Sequence, residues 1–490
     1  MKGVAAARGW LKNATKIILP KGRFARSVAV LAGGAVLGQA ITVLASPILT
    51  RLYGPDDFGV MAVYMSLLGI VSVIASLRYQ LAIPLPEKDE DAANLLALSL
   101  GIVFLMSALA CLGVCLFTDQ IIGWVNVPAL RPYLWLLPLG IGMVGTYQVF
   151  NYWAVRKRAF GRIARTKINQ GLGSVLTQIG FGILRLGPIG LILGQIVGQA
   201  AGTTTLATLA WKQDVKALKA INPRGMSHMA ARYIRFPLFS SWSGVLNTLS
   251  VQVPTLMLSF FFGSAITGLY ALSHRVMSLP LQLVGQAVAQ VFFPTAVEAH
   301  RNDSIATTTQ AIFRRLVLIG VPAFLLIGLA APQLFTVVFG KEWRQAGTYV
   351  QWLTPWMFLV FVSSPFTMLP SVMEKQRQEV VFNGLLLSSR VGALCIGGFL
   401  NSERVAIASF AGVSALCWLG FLLWTMNLSG NKVKYVLEVV LSEATAVVPL
   451  LLPLIAVKIF ADRGLYVLGA AGLSGVLVSH RLLKKLKLGR

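Results

Sequence analysis

Charge is what this chain of 490 residues has least of: Asp, Glu, Lys and Arg together make up 12% of it, about half the share usual in a soluble domain. Acidic residues are the scarcer kind, 17 against 43 Lys and Arg. Cysteine and histidine are limited to four each. Cys111, Cys115, Cys395 and Cys417 all lie inside apolar runs. Cys111 and Cys115 are one helical turn apart, which suits neither a relaxed disulfide nor a zinc site. The histidines, at 228, 274, 300 and 480, are scattered. The chain has no His-Glu-x-x-His and no Gly-x4-Gly-Lys-Ser/Thr loop. Hydrolytic zinc chemistry and a nucleotide-driven pump within this chain are therefore excluded. With no catalytic constellation, the chain reads as a non-enzyme that needs no cofactor and no metal.

What is abundant is apolar surface. Hydrophobic types make up 56% of the residues and the mean hydropathy is +0.73. A soluble protein of this size has too little interior to hide that much. The fold class expected is an all-α polytopic membrane protein. The net charge of +26 would suggest nucleic acid in a soluble protein. Here it points to basic cytoplasmic loops against anionic membrane lipids, with no nucleic acid as partner.

A spanning helix needs ~20 mostly apolar residues, because lipid offers the backbone no hydrogen bonds. Fourteen segments qualify: 27–50, 58–83, 93–117, 133–154, 168–184, 189–210, 236–262, 266–293, 316–339, 347–372, 379–400, 405–428, 437–461 and 464–480. The short fifth segment and the sixth, separated by Arg185, Gly187 and Pro188, form a tight hairpin. With the N-terminus in the cytoplasm, 32 of the 43 Lys and Arg fall in inside segments, 7 outside and 4 within spans. Both termini are therefore expected in the cytoplasm of a multi-pass protein of the cell inner membrane. Residues 1–26 carry seven cations, too long and too basic a stretch for a cleaved signal peptide. The segment reads as a tail on the inner leaflet.

The loop after the first span, Tyr53-Gly54-Pro-Asp-Asp-Phe-Gly59-Val-Met-Ala62, matches Phe262-Gly263-Ser-Ala-Ile-Thr-Gly268-Leu-Tyr-Ala271 after the seventh, at an offset of 209 (268 less 59). Pro47 and Pro254 precede them. The first glycine of each allows positive φ and the second lets two helices approach. The repeat divides the chain into a basic tail 1–26, a six-helix lobe 27–210, a basic linker 211–235, a second six-helix lobe 236–428, and two further helices with a basic end, 429–490. Gly54, Gly59, Gly263, Gly268, Pro47 and Pro254 are the candidate gate and packing residues. Gly190, Gly194, Gly198 and Gly202, four apart, form a ridge that lets backbones touch.

Charges inside a membrane cost ~2.5–3.5 kcal/mol each on insertion scales, so they usually face a cavity. Arg275 lies nine residues into its span, ~13 Å deep, and Arg390 eleven, ~16 Å. Arg78 is six residues from Pro84, ~9 Å from the inner end. Lys458 is near a span end, where lysine snorkels. No acidic residue lies deep in the first twelve spans, so the embedded field is positive and suits an anionic substrate. Arg78, Arg275 and Arg390 are the first candidate substrate-binding residues, against buried pairing or snorkelling. His274 adjoins Arg275 but points about 100° away on a helix. Gln282, Gln286 and Gln290, four apart, make one polar face suited to sugar hydroxyls or to interhelical hydrogen bonds.

Leu49-Thr50-Arg51-Leu52-Tyr53-Gly54-Pro55-Asp56-Asp57-Phe58-Gly59, then Leu77-Arg78-Tyr79-Gln80-Leu81-Ala82-Ile83-Pro84-Leu85-Pro86 and the acidic run Glu87 to Asp91 before Asn94, resemble the N-terminal signature of Wzx-type polysaccharide flippases. These transporters share a superfamily with multidrug extruders and the lipid II flippase. The resemblance is carried by the first hundred residues. It implies a MATE-like V of two lobes with a cationic cavity between 27–210 and 236–428. It implies transport by alternating access of an undecaprenyl-diphosphate-linked glycan, for O-antigen or exopolysaccharide synthesis, and partnership with polymerase and chain-length proteins. A drug–cation antiporter would need deep carboxylates. A membrane glycosyltransferase or polymerase usually presents a sizeable outer loop, whereas the longest outer segment here, 118–132, carries only Asp119 and Arg131 as charged residues. A lipid II transporter remains an alternative.

Overall fold

The computed structural model describes residues 23–281, 296, 298, 299, 302, 304–373, 375–460 and 464–488. Among them there are helices and turns and no strands, as expected where every backbone group must be satisfied within its own segment. Each of the fourteen expected spans has a helical counterpart. The first is divided between Arg23–Leu44 and Ser46–Leu52, with the break just before Pro47. Pro55–Ser72, Asp89–Val125, Leu136–Arg156, Phe160–Ile183 and Pro188–Gln213 follow. Phe236–Ser240 and Ser241–Met277 together cover the seventh span and the eighth as far as Met277. Then come Ile305–Phe339, Arg344–Ser363, Gln376–Phe399, Glu403–Leu428, Val433–Phe460 and Gly464–Leu488. Among the described residues, nine segments are long and apolar enough to cross a membrane by length and composition alone.

Two spans differ from the sequence expectation. The second does not run on to residue 83: its helix stops at Ser72 and the chain continues in turns to the 3-10 segment Tyr79–Ala82. Within those turns Leu77 (φ 46°) and Arg78 (φ 63°) are both left-handed, a conformation that strains side-chain-bearing residues. The seventh and eighth spans are not parted by a loop. One helical run covers both, and Gly263 alone leaves helical geometry (φ 77°, ψ −170°). Pro254 stays inside that run.

Packing divides the chain into two compact units: Met1–Ser46, Tyr64–Gly123 and Pro128–Gln252 form one, and Pro47–Val63, Trp124–Val127 and Val253–Arg490 the other. In the first unit, Phe160–Ile183 packs along Pro188–Gln213. The glycine ridge explains how: a Cβ at Gly198 would lie 2.8 Å from the Gln170 carbonyl, and one at Gly202 2.6 Å from its amide. Gln170 in turn donates to Gln199 (3.0 Å). Leu136–Arg156 joins this pair through buried Tyr147, Ala154, Ile163 and Leu206.

The acidic run is clamped. Arg156 donates to the carbonyls of Ile83 (3.3 Å), Pro86 (2.5 Å) and Glu87 (3.1 Å) and to Asp89 (2.9 Å). Lys157 bridges Asp89 (2.6 Å) and Asp214 (3.2 Å). Burial opposes the Lys157 charge, but its hydrogen bonds to the two carboxylates outweigh that and hold the ammonium above the usual lysine range. Asn94 accepts from the Asn222 amide (2.9 Å) and so docks the linker helix Pro223–Arg232, which Asn222 itself caps.

In the second unit, Pro332 has no N–H for the Gly328 carbonyl four residues earlier. Gln351 supplies the missing donor at 2.9 Å. The last two helices pack on Ile305–Phe339 through Ala330, Leu454, Val467 and Ala470. Lys458 donates to the Leu329 carbonyl (3.0 Å). Glu443 pairs with Arg481 (3.0 Å), both largely buried. The final helix runs through the basic end to Leu488.

Candidate substrate-binding site

Arg78 belongs to the first unit. It stands where the helix of the second span has stopped, held left-handed and flanked by turn hydrogen bonds such as Tyr79 N to Ser76 O (3.1 Å) and Leu81 N to Arg78 O (3.0 Å). Its Nε is buried and meets no hydrogen-bond acceptor among the described residues. No ion pair of Arg78 occurs among them either. A strained residue carrying a half-buried, unneutralised guanidinium is costly unless something else uses the charge. Around the break, Ser76 donates to Gln80, whose amide donates to Gln148 (3.2 Å). Tyr79 donates to the Ala230 carbonyl (3.0 Å).

The other candidate cations lie in the second unit. Arg275 and His274 occupy the last turn of Ser241–Met277, where a cation meets the negative end of the helix dipole. The hydroxyl of Ser278 donates to the Arg275 carbonyl (2.9 Å). Arg78 and Arg275 each sit on the second span of their set of six, but their settings differ: Arg275 precedes a single turn residue, Ser278, after which helical geometry returns at 279–281. Arg390 is different. Its guanidinium lies over the rings of Trp356 (4.8 Å) and Phe410 (5.4 Å), and its Nε donates to Ser414 (2.9 Å). His274 stacks between Tyr270 (5.8 Å) and the same Trp356 (6.0 Å). The structure therefore brings Arg390 and His274 to one aromatic cluster, a reading closer to buried pairing than to an open cation. Gln282, Gln286 and Gln290 lie outside the described residues.

The glycine motifs meet within the second unit. A Cβ on Gly59 would overlap the Ser264 carbonyl; one on Gly268 would overlap the Pro55 carbonyl and lie 2.7 Å from the Gly59 amide nitrogen. These contacts are reciprocal. Adding 209 to the pair 55 and 59 gives 264 and 268, so each glycine faces the partner of the other, as in a two-fold contact. Ser264 donates to Asp56 (2.6 Å). Trp343, fully buried, donates to the Thr50 carbonyl (3.1 Å) and meets Phe58 edge-on at 4.9 Å. Gly54 and Gly263 serve otherwise. The Gly54 amide donates to Asp57 (3.1 Å), and Gly263 takes the positive φ.

Sequence reasoning missed Arg156, Trp343 and Gln351, since each acts on backbone carbonyls distant along the chain and leaves no local pattern. It also missed the left-handed break at Leu77 and Arg78, which contains no glycine to announce it.

The family model for polysaccharide biosynthesis proteins matches residues 48–347. The chain belongs to this family. A similar curated protein is the succinoglycan biosynthesis transport protein ExoT of Rhizobium meliloti (strain 1021), 27% identical over 61% of this chain. That match spans 59% of the relative's length. The lipopolysaccharide biosynthesis protein WzxC of Escherichia coli (strain K12) is 22% identical over 77% of this chain and 73% of its own. Among solved structures, the lipid II flippase MurJ in an inward closed conformation superposes with a TM-score of 0.70 at 12% identity, covering 95% of this chain and 99% of that one. An inward-facing multidrug MATE transporter gives 0.59 at 12% identity, over 82% and 94%. The chain thus has the fold shared by MurJ and MATE transporters, and it is a multi-pass membrane protein.

Proposed function

We propose that this family member is a flippase. It moves undecaprenyl-diphosphate-linked oligosaccharide from the inner to the outer leaflet of the cytoplasmic membrane, for O-antigen or exopolysaccharide synthesis, with both termini in the cytoplasm. The cycle is alternating access. The six-helix lobes 27–210 and 236–428 are the moving parts, and the reciprocal helix contact at Gly59 and Gly268 forms the outer closure. Arg78 takes the diphosphate, since a guanidinium grips two phosphate oxygens at once, and Arg275 is a second cation that export requires.

Arg78 is the observation that carries this reading: a cation held left-handed in the turns that follow the helix of the second span, with a buried Nε that no described group satisfies. Membership of a polysaccharide biosynthesis family and a relative named as a transport protein support the same direction. The test is Arg78→Ala in a strain depleted of the native copy. Surface polysaccharide should fall at least tenfold, as expected when one charge-assisted hydrogen bond is lost, while lipid-linked repeat units accumulate on the cytoplasmic face. Normal surface polysaccharide with normal protein abundance would refute it.

A further inference from the structure

Gly244 has no side chain, and the Arg78 guanidinium occupies the space one would fill. A Cβ built there would overlap Nη2 of Arg78 and lie 2.6 Å from its Cζ and 2.8 Å from its Nε. Both residues belong to the first compact unit. The contact continues along the same helix: the Tyr79–Ala82 turn packs against Phe236–Ser240, and further on a Cβ at Gly69 would meet the Gln252 amide at 2.7 Å. Ser241, one turn before Gly244 on the same helical face, is 6% exposed, and its hydroxyl has no hydrogen-bond partner among the described residues. An unpartnered hydroxyl and the niche that receives an unpartnered guanidinium therefore share one face of Ser241–Met277.

We propose that Gly244 is a positioning residue for the anion. Its niche receives the Nε–Nη2 edge of the Arg78 guanidinium and so fixes how far the side chain reaches toward the anion, and Ser241 lies one helical turn before it on the same face. The ligand chemistry is a diphosphate ester. This rests on the reading of Arg78 given above. Steric logic separates Gly244 from the packing glycines. At Gly59 or Gly268 an added methyl strikes backbone, which cannot give way, whereas at Gly244 it strikes the far end of a long flexible side chain. Gly244→Ala therefore leaves the helices in place and moves the cation.

The experiment measures binding of farnesyl diphosphate to the purified full-length protein in detergent, and surface polysaccharide in cells, for Gly244→Ala, Arg78→Ala and the double variant. Gly244→Ala should weaken farnesyl diphosphate binding about tenfold, the scale of one displaced charge-assisted hydrogen bond, with unchanged membrane abundance. In the Arg78→Ala background the same substitution should have no further effect, because its only target is gone. If Arg78→Ala binds and exports normally, the diphosphate reading of Arg78 fails. If Arg78→Ala is impaired but Gly244→Ala is normal, Arg78 keeps its role and the niche has none. Equal losses from Gly244→Ala in both backgrounds would mean a packing role and overturn the proposal. Ser241→Ala, which removes the hydroxyl without touching the niche, should weaken binding less than Gly244→Ala. A larger loss there would assign the anion to the hydroxyl and overturn the niche.

Discussion

Consider replacing Gly268 by leucine. The first added carbon would lie 2.7 Å from the Gly59 amide nitrogen and 2.9 Å from the Pro55 carbonyl carbon, and would overlap the Pro55 oxygen. All of these are backbone atoms, so no rotamer change relieves the clash. Ordinary contact needs ~3.5–4.0 Å, so relieving the overlap with the Pro55 oxygen parts the two helices by more than ~1 Å. Overpacking on this scale costs about 1–3 kcal/mol, which lowers the population of the paired helices about 5- to 150-fold. The assay uses Asp56 and Ser264, whose side chains meet at 2.6 Å across the contact. Both are changed to cysteine in a background lacking Cys111, Cys115, Cys395 and Cys417, and the rate of disulfide formation in membranes is followed. Gly268→Leu should slow crosslinking by about the same factor, and Gly59→Leu, its counterpart under the repeat, should match it. Gly54→Leu is the control, because a Cβ there meets nothing within 4 Å. Locking the pair by the disulfide should stop export. Equal crosslinking rates in all three leucine variants would refute the close-approach argument, and export that continues with the contact locked would leave the repeat with packing alone.

Two further outcomes are expected. Arg275→Ala should abolish export while the protein remains inserted, and Arg275→Lys should restore it only in part, since lysine keeps the charge but loses the planar fork; unchanged surface polysaccharide in the alanine variant would remove Arg275 from the site. Arg156→Ala strips donors from three carbonyls and from Asp89 around a side chain only 9% exposed, so the protein in detergent should lose about 2–4 kcal/mol of stability, and a thermal midpoint equal to that of the unsubstituted protein would contradict the clamp.

Most spans were legible because lipid forces them to be long, apolar and internally bonded, and nine of the described segments are marked by length and composition alone. The glycine contacts were legible for a related reason: where two backbones touch, only glycine fits, and the requirement repeats at both ends of the contact. The reciprocity of 55 and 59 with 264 and 268 follows from the offset of 209 and needs no further sequence signal. Polar positioning left no such trace. Arg156 acts on Asp89 across 67 residues, and Trp343 on Thr50 across 293. No periodicity records a partner so distant. Trp343 and Phe58 also account for the place of Pro47–Val63 in the second compact unit, which a division by repeat alone assigns to the first lobe. Depth in the span could not separate the arginines. Arg390, deep by residue count, is engaged by Ser414 and two rings, whereas Arg78, nearer a span end, keeps an unsatisfied Nε. What distinguishes them is the local backbone. Arg390 sits within a continuous helix whose neighbours can close around it, and Arg78 sits where the helix has stopped and turns its guanidinium toward a glycine. A broken helix frees backbone and side chain together, and that is where a membrane protein can spend a charge on a ligand.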